Sequence, residues 1–107
     1  MGKYLVLWRL NPLAPAPKDH AQVLQLYERA WAAVDDMMKK GEISDMTSFM
    51  DGSSGYAIAK ADTATVFKNL NMFSPYWTFE VKEVMPYDQA KEVWRAGLKT
   101  QIEAAKK

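Results

Sequence analysis

Four side chains from distant parts of the sequence could form a small binding site. Arg9 is a cation near the end of a predicted strand, and Trp77 begins a second strand that is predicted to run antiparallel beside the first. The long helix between these strands brings His20, and further along Tyr27, towards the same end of the sheet. A guanidinium, an imidazole and two aromatic walls suit a small anionic or carbonyl-bearing aromatic ligand.

The residue types suggest a role for each of the four, although simpler roles stay open. His20 is the candidate catalytic residue, because histidine exchanges protons near neutral pH. Arg9, Tyr27 and Trp77 are the candidate ligand-binding residues. Against these roles, a histidine in a first helical turn can be solvent-exposed, Arg9 can extend into solvent or pair with a carboxylate, and Trp77 can belong to the core. Enzymatic activity is left undecided.

Hydrophobic periodicity and turn residues predict the elements that must position these side chains. They predict strands at Lys3–Leu10, Ile43–Met50, Tyr56–Lys60 and Tyr76–Met85, and helices at Lys18–Lys40, from Asp62 to Pro75, and at Pro86–Ala105. Asp62 is expected to cap its helix, and Gly41 to follow the end of the first one. The order β-α-β-β-α-β-α predicts one α+β domain over residues 1–107, with a ferredoxin-like four-stranded antiparallel sheet.

The last predicted helix is amphipathic and is expected to act as a covering helix. Its apolar stripe comprises Tyr87, Ala90, Val93, Trp94, Leu98 and Ile102. These residues recur at steps of three and four, which places them along one side of a helix.

One face of the sheet is expected to need a partner. Helices on the other face are predicted to cover Leu5, Leu7, Ala57 and Ala59, together with alternate residues of the last strand. Large aromatic side chains then remain on the open face, and soluble monomers seldom leave such a patch bare. A symmetric homodimer that packs sheet on sheet would cover it. The predicted dimer interface comprises Tyr4, Trp8, Tyr56 and Ile58.

Composition excludes several classes of function. Fourteen lysines and arginines nearly balance thirteen aspartates and glutamates, so no basic surface for nucleic acid or anionic membranes is expected. The absence of cysteine excludes disulfides and thiolate metal sites, and a single histidine with scattered carboxylates shows no metal-binding spacing. We expect no metal, no cofactor, no membrane segment and a cytoplasmic location.

The segments GYAIAKAD and SPYWTFEVKEVMPYDQA, together with the predicted strand order and face pattern, resemble the dimeric α+β barrel superfamily. Within it, the chain is most similar to small members near the muconolactone-isomerase-like and YCII-like groups. The resemblance implies a homodimer whose two sheets close a barrel, with a ligand cleft between sheet and helices in each subunit. The superfamily includes isomerases, monooxygenases and haem-degrading enzymes. The histidine–aspartate pairing of YCII-like proteins is not evident, because His20 lies on a helix.

Two functions from different classes follow. The first is a small homodimeric domain that binds a small aromatic or hydrophobic molecule between sheet and helices, with cofactor-independent isomerase or monooxygenase chemistry if it is an enzyme. The second is a non-catalytic dimerisation or assembly module whose core is closed by its own side chains. An open cavity at the end of the sheet where Arg9, His20 and Trp77 are predicted to meet would favour the first function, and a packed end would favour the second.

Overall fold

The computed structural model describes residues 2–15 and 17–106. Its elements follow the predicted order along the chain and comprise β1 Gly2–Leu10, α1 His20–Lys39, β2 Ile43–Met46, β3 Ser54–Ala61, α2 Thr63–Asn71, β4 Trp77–Glu83 and α3 Tyr87–Ala105. The α+β class with three helices and four strands is confirmed. β2 ends at Met46, four residues before the predicted end at Met50, and its pairing with β3 shifts register between Ile43 and Asp45.

The four strands form one antiparallel sheet in the order β2-β3-β1-β4. β1 is central and pairs with both β3 and β4, while β2 and β4 are the edges. The two crossovers, β1-α1-β2 and β3-α2-β4, each connect strands that have one other strand between them. The two crossovers are therefore interleaved, and neither half of the chain can complete its sheet without the other.

Short local signals fix the helix ends. Asp19 accepts a hydrogen bond from the Gln22 backbone N–H at 2.8 Å, so α1 begins at His20 and not at Lys18 as predicted. Asp62 accepts one from the Thr65 N–H at 2.8 Å, which confirms its predicted capping role. The hydrogen bond from the Thr65 backbone also lowers the pKa of the Asp62 carboxyl, because it favours the charged form. Gly41 follows α1 with a φ of 75°, the left-handed conformation expected after a helix.

The predicted faces of β1 were wrong. Tyr4 pairs with Ala59 and Val6 with Ala57, and directly opposed residues of an antiparallel pair point to the same side of the sheet. The even-numbered residues of β1 therefore join the alanines under the helices. Tyr4 is buried there, and its hydroxyl hydrogen bonds with that of Thr63 at the start of α2 at 2.8 Å.

The open face consequently carries a different set of residues from the predicted one. Leu5 pairs with Ile58 and Leu7 with Tyr56, which makes a block of four half-buried side chains in the middle of that face. Tyr56 and Ile58 lie on the predicted side. Tyr4 and Trp8 do not, so they cannot contribute to an interface on the open face.

The core is small, and α3 adds nothing to it. Among residues 2–15 and 17–106, seven side chains are buried, namely those of Tyr4, Val6, Met37, Ala57, Ala59, Ala61 and Val66. α3 runs from the end of β4 without packing along another element in the described part of the chain, and it contributes no buried residue. The prediction that it covers the sheet was wrong. Within residues 2–15 and 17–106, no helix is both long and apolar enough to cross a lipid bilayer.

Candidate functional site

A cleft of about 620 Å³ separates α1 and α2 above the helix-facing side of the sheet. Its floor includes Val6, Ala57 and Ala59. The alanine side chains are short, so they leave open space above the sheet. The alternation of small and large residues in β3 therefore creates space here. The sequence had indicated only that a helix could approach this smooth face closely.

Five aromatic rings form a continuous wall along the cleft. Tyr27 and Trp31 are one helical turn apart on α1 and stack at 5.8 Å between ring centroids, with an interplanar angle of 13°. Tyr27 also meets Trp77 of β4 at 5.6 Å. The series continues through Phe73 to Phe79, with centroid distances of 6.1 Å from Trp77 to Phe73 and 6.0 Å from Phe73 to Phe79.

Helix and strand periodicity explain why these rings meet. Positions 27 and 31 lie on one side of α1, and positions 77 and 79 lie on one face of β4. Phe73 follows α2 and lies between the two. Offset-stacked and edge-to-face contacts at these distances are the favourable arrangements of aromatic pairs. The wall is thus ordered by its own contacts, and it presents flat apolar surface to the cleft.

A few polar groups are placed among the apolar ones. The side-chain amide of Asn69 donates to the Glu42 carboxylate at 3.1 Å, and both residues line the cleft. The indole N–H of Trp8 donates to the Thr47 carbonyl oxygen at 3.2 Å, which fixes the ring at one end of the floor. Asp35 lies at the exposed rim. The site can therefore hold an apolar ring system and contact a polar substituent, chiefly through Glu42 and Asn69.

The predicted site residues are divided between this cleft and other surfaces. Tyr27 and Trp77 line the cleft and contact each other, and their role in ligand binding stays a prediction. Arg9 does not join them, because Leu10 is the residue that pairs with Trp77 and Arg9 pairs with Thr78 on the open face. The prediction that Arg9 and Trp77 share a face was wrong. His20 is exposed at the first position of α1 and is not among the lining residues.

Arg9 belongs instead to a second hollow beside the proline-rich connector 11–17. This hollow has a volume of about 1100 Å³ and is lined by Glu80, Thr78 and Asp51 among others. Arg9 itself is exposed. A role for Arg9 in binding therefore stays a prediction that the aromatic cleft does not support.

Several cleft residues were not among the predicted site residues. Trp31, Phe73 and Phe79 were interpreted as core because aromatic residues at helical or strand spacing usually are. The alanines at 57 and 59 were the available signal, since they leave volume that no other residue of β3 fills. Glu42 and Asn69 carried no signal, because their contact joins the loop after α1 to helix α2, and the two are distant in the sequence.

Comparisons with known proteins add no family to this geometry. No family model matches the sequence, and a search of curated proteins finds no significant match. Across residues 2–15 and 17–106, no three histidine, aspartate or glutamate side chains lie close enough together to hold a metal ion. The cleft and its aromatic wall are therefore the basis for a functional proposal.

Proposed function

We propose that the protein binds a small, flat, aromatic or hydrophobic molecule in the cleft between the sheet and helices α1 and α2. The aromatic wall from Trp31 to Phe79 is the observation that supports this most directly. A volume of about 620 Å³ falls within the range of roughly 300–1,000 Å³ for small-molecule sites. Rings already ordered by mutual contacts can stack on a ligand at little cost in side-chain entropy.

The chemistry that we propose for such a ligand, if the site is catalytic, is a cofactor-independent isomerase or monooxygenase reaction. Both begin with removal of a proton from an activated carbon or hydroxyl group. Glu42 is the proton acceptor best placed for this, because it is half-buried and held by Asn69. His20 is exposed outside the cleft, so we assign it no role in the proposed reaction.

We further infer that the chain is a ferredoxin-like domain of the dimeric α+β barrel superfamily and that it forms a homodimer. The interleaved crossovers support the ferredoxin-like assignment, since they form a split β-α-β arrangement. The open face supports a dimer, because Leu5, Leu7, Tyr56 and Ile58 form an apolar block that lacks a cover within one chain. This block replaces the interface predicted from Tyr4 and Trp8.

The binding proposal is tested by filling the cleft. Ala57→Leu places a larger side chain on the floor, beside the open volume, and is expected to weaken binding of a naphthalene-based probe such as 1-naphthol at least tenfold. Ala96→Leu makes the same change on the exposed side of α3 and should leave affinity unchanged. Quenching of tryptophan fluorescence measures both affinities, since Trp31 and Trp77 are in the wall. A wild-type protein that binds no such probe, or equal affinity in both variants, would contradict the proposal.

The alternative function is a non-catalytic assembly module. The unpaired apolar stripe of α3 favours it, because that stripe must contact something outside its own subunit to be buried. The wild-type protein would then show saturable self-association without any probe binding.

A further inference from the structure

The apolar stripe of α3 faces solvent along its whole length. Its five large members are between 54% and 68% exposed, namely Tyr87, Val93, Trp94, Leu98 and Ile102. An isolated helix of this length is marginally stable in water, and amphipathic helices gain most of their stability from packing the apolar face. We therefore expect the apolar stripe of α3 to pack against another surface.

A matching surface lies along the exposed edge of α1. Leu24, Trp31 and Met38 are seven residues apart and are each between 45% and 52% exposed. At about 1.5 Å per residue this line is about 21 Å long, and the stripe from Tyr87 to Ile102 is about 22 Å long. The two surfaces thus have the same length and the same apolar character. Within the described residues of one chain, α1 and α3 do not pack along each other.

Charges of opposite sign flank the two apolar lines. Glu28 and Asp35 lie beside the line on α1, and Lys91 and Lys99 lie beside the stripe on α3. Helical spacing places both charged edges on the same side of their apolar line when each helix is viewed from its N-terminus. When two such helices pack through their apolar lines and run antiparallel, their charged edges lie next to each other. An antiparallel pair would therefore bring Glu28 towards Lys99 and Asp35 towards Lys91.

The solvent-accessible area of the chain is also large enough for a partner to cover part of it. The accessible area is 8146 Å², whereas a compact monomer of this length exposes about 6,000 Å². The radius of gyration is 18.9 Å, against about 13 Å for a compact domain. The excess area of about 2,000 Å² per chain is enough for a stable interface, which buries about 1,200–2,000 Å² over both partners.

We propose that α3 of a second copy of the chain packs antiparallel along the Leu24–Trp31–Met38 edge of α1 and closes the mouth of the cleft. Trp31 belongs both to the cleft and to the exposed edge of α1. It stacks on Tyr27 inside the cleft, and it is half-exposed at the edge. Asp35 is both at the rim of the cleft and at the charged edge. The ligand site is then complete only when a partner supplies its outer wall. That part of the inference rests on the proposed binding function.

We call this packing of α3 on α1 of a second copy the helix exchange, and cross-linking between copies tests it. The chain has no cysteine of its own to interfere. A copy with Glu28→Cys is mixed with a differently tagged copy carrying Lys99→Cys, and the mixture is oxidised. We expect a disulfide-linked heterodimer. The control pairs Glu28→Cys with Thr100→Cys, which lies on the opposite side of α3 and should cross-link at least tenfold more slowly. Equal rates in the two mixtures would overturn the proposal.

A second variant tests the same contact without cysteine. Trp94→Asp changes a largely exposed residue of a helix that adds no buried residue to the described part of the chain, so circular dichroism should show an intact sheet and helix α1. Native mass spectrometry should show the loss of the species held together by α3. Retention of every oligomer of the wild-type protein would overturn the proposed contact.

The outcomes separate this inference from the binding proposal. A cross-link between Glu28→Cys and Lys99→Cys copies of a protein that binds no 1-naphthol would support the helix exchange and contradict the proposed ligand site. Binding of 1-naphthol with equal affinity by wild-type and Trp94→Asp proteins, without a cross-link, would sustain the ligand site and overturn the exchange. Tighter binding by the cross-linked dimer than by Trp94→Asp supports both.

Discussion

Gly55 shows how the absence of one side chain positions part of the cleft. It is buried and pairs with Trp8 across β1 and β3. A Cβ atom at this position would meet the Thr47 carbonyl oxygen and the Trp8 indole ring. Those two groups are joined by the Trp8 N–H hydrogen bond. Gly55 is therefore required, because only a residue without a side chain lets the Trp8 ring and the Thr47 carbonyl come this close. The contact joins the segment after β2 to one end of the cleft floor.

Gly55→Ala is expected to destabilise the protein by about 1–3 kcal/mol, the usual range for an extra methyl group in a tightly packed site. The cause is displacement of Trp8, and a change in tryptophan fluorescence should accompany the loss. Gly97→Ala is the matched control, because nothing lies within 4 Å of an added Cβ there and alanine favours a helix by about 1 kcal/mol. Thermal unfolding measures both. Equal stability of Gly55→Ala and wild type would show that Trp8 is not held as described.

At the scale of the element, α3 differs from α1 and α2 in what stabilises it. α1 contacts β2 and α2 contacts β3, so both are supported within the chain. α3 has local support from the exposed Arg95–Glu92 and Lys106–Glu103 ion pairs, and exposed pairs of this kind contribute little. Its stability should therefore depend on the partner that covers its stripe.

Hydrogen exchange at two protein concentrations should reveal this dependence. The backbone amides of α3 are expected to exchange quickly in dilute solution and slowly in concentrated solution, because association removes the open state from which they exchange. The amides of β1 are an internal control, since this central strand is paired on both sides at any concentration. Identical exchange of α3 at both concentrations would show that no association covers it.

At the scale of the whole molecule, two separate surfaces favour association. One is the apolar block on the open sheet face, and the other is the stripe of α3. The sheet block is tested by Leu7→Lys, which adds a charge at the middle of that face and should shift the mass distribution towards smaller species, with a dissociation constant raised at least tenfold. Thr100→Lys adds the same charge to an exposed site away from both surfaces and should leave the distribution unchanged.

Analytical ultracentrifugation can measure these distributions across a range of concentrations. If Leu7→Lys and Thr100→Lys sediment alike, the sheet face is not an interface. The helix exchange stays open to its own test, because Glu28 and Lys99 lie on neither face of the sheet.

The sequence predicted the elements well because their signals are local. Asp62 marks a helix start, Gly41 a helix end, and the α+β class with a four-stranded antiparallel sheet follows from hydrophobic period. The sequence also suggested that Tyr27 lies near Trp77, since α1 begins at that end of the sheet, but it did not predict the contact of their rings. Each of these depends on spacing within a segment or on the order of segments.

The errors concern features that depend on distant contacts. The segment Lys3–Leu10 is apolar at both even and odd positions, so its alternation cannot say which side meets the helices. Register with β3 decides this, and Ala59 leaves the room that Tyr4 occupies. The stripe of α3 shows that this helix packs on something, yet an amphipathic pattern is the same whether the receiving surface belongs to the same chain or to another.

The central place of β1 has a consequence for synthesis of the chain. β1 ends at Leu10, whereas β4, one of its two neighbours, is finished only at Glu83. At about 5–20 residues per second, the roughly 70 intervening residues take some 4–15 s to be made. β3, its other neighbour, is complete at Ala61, so the apolar strand β1 first lacks both neighbours and then lacks β4 alone. Slower translation lengthens in proportion the time for which β1 is incompletely paired.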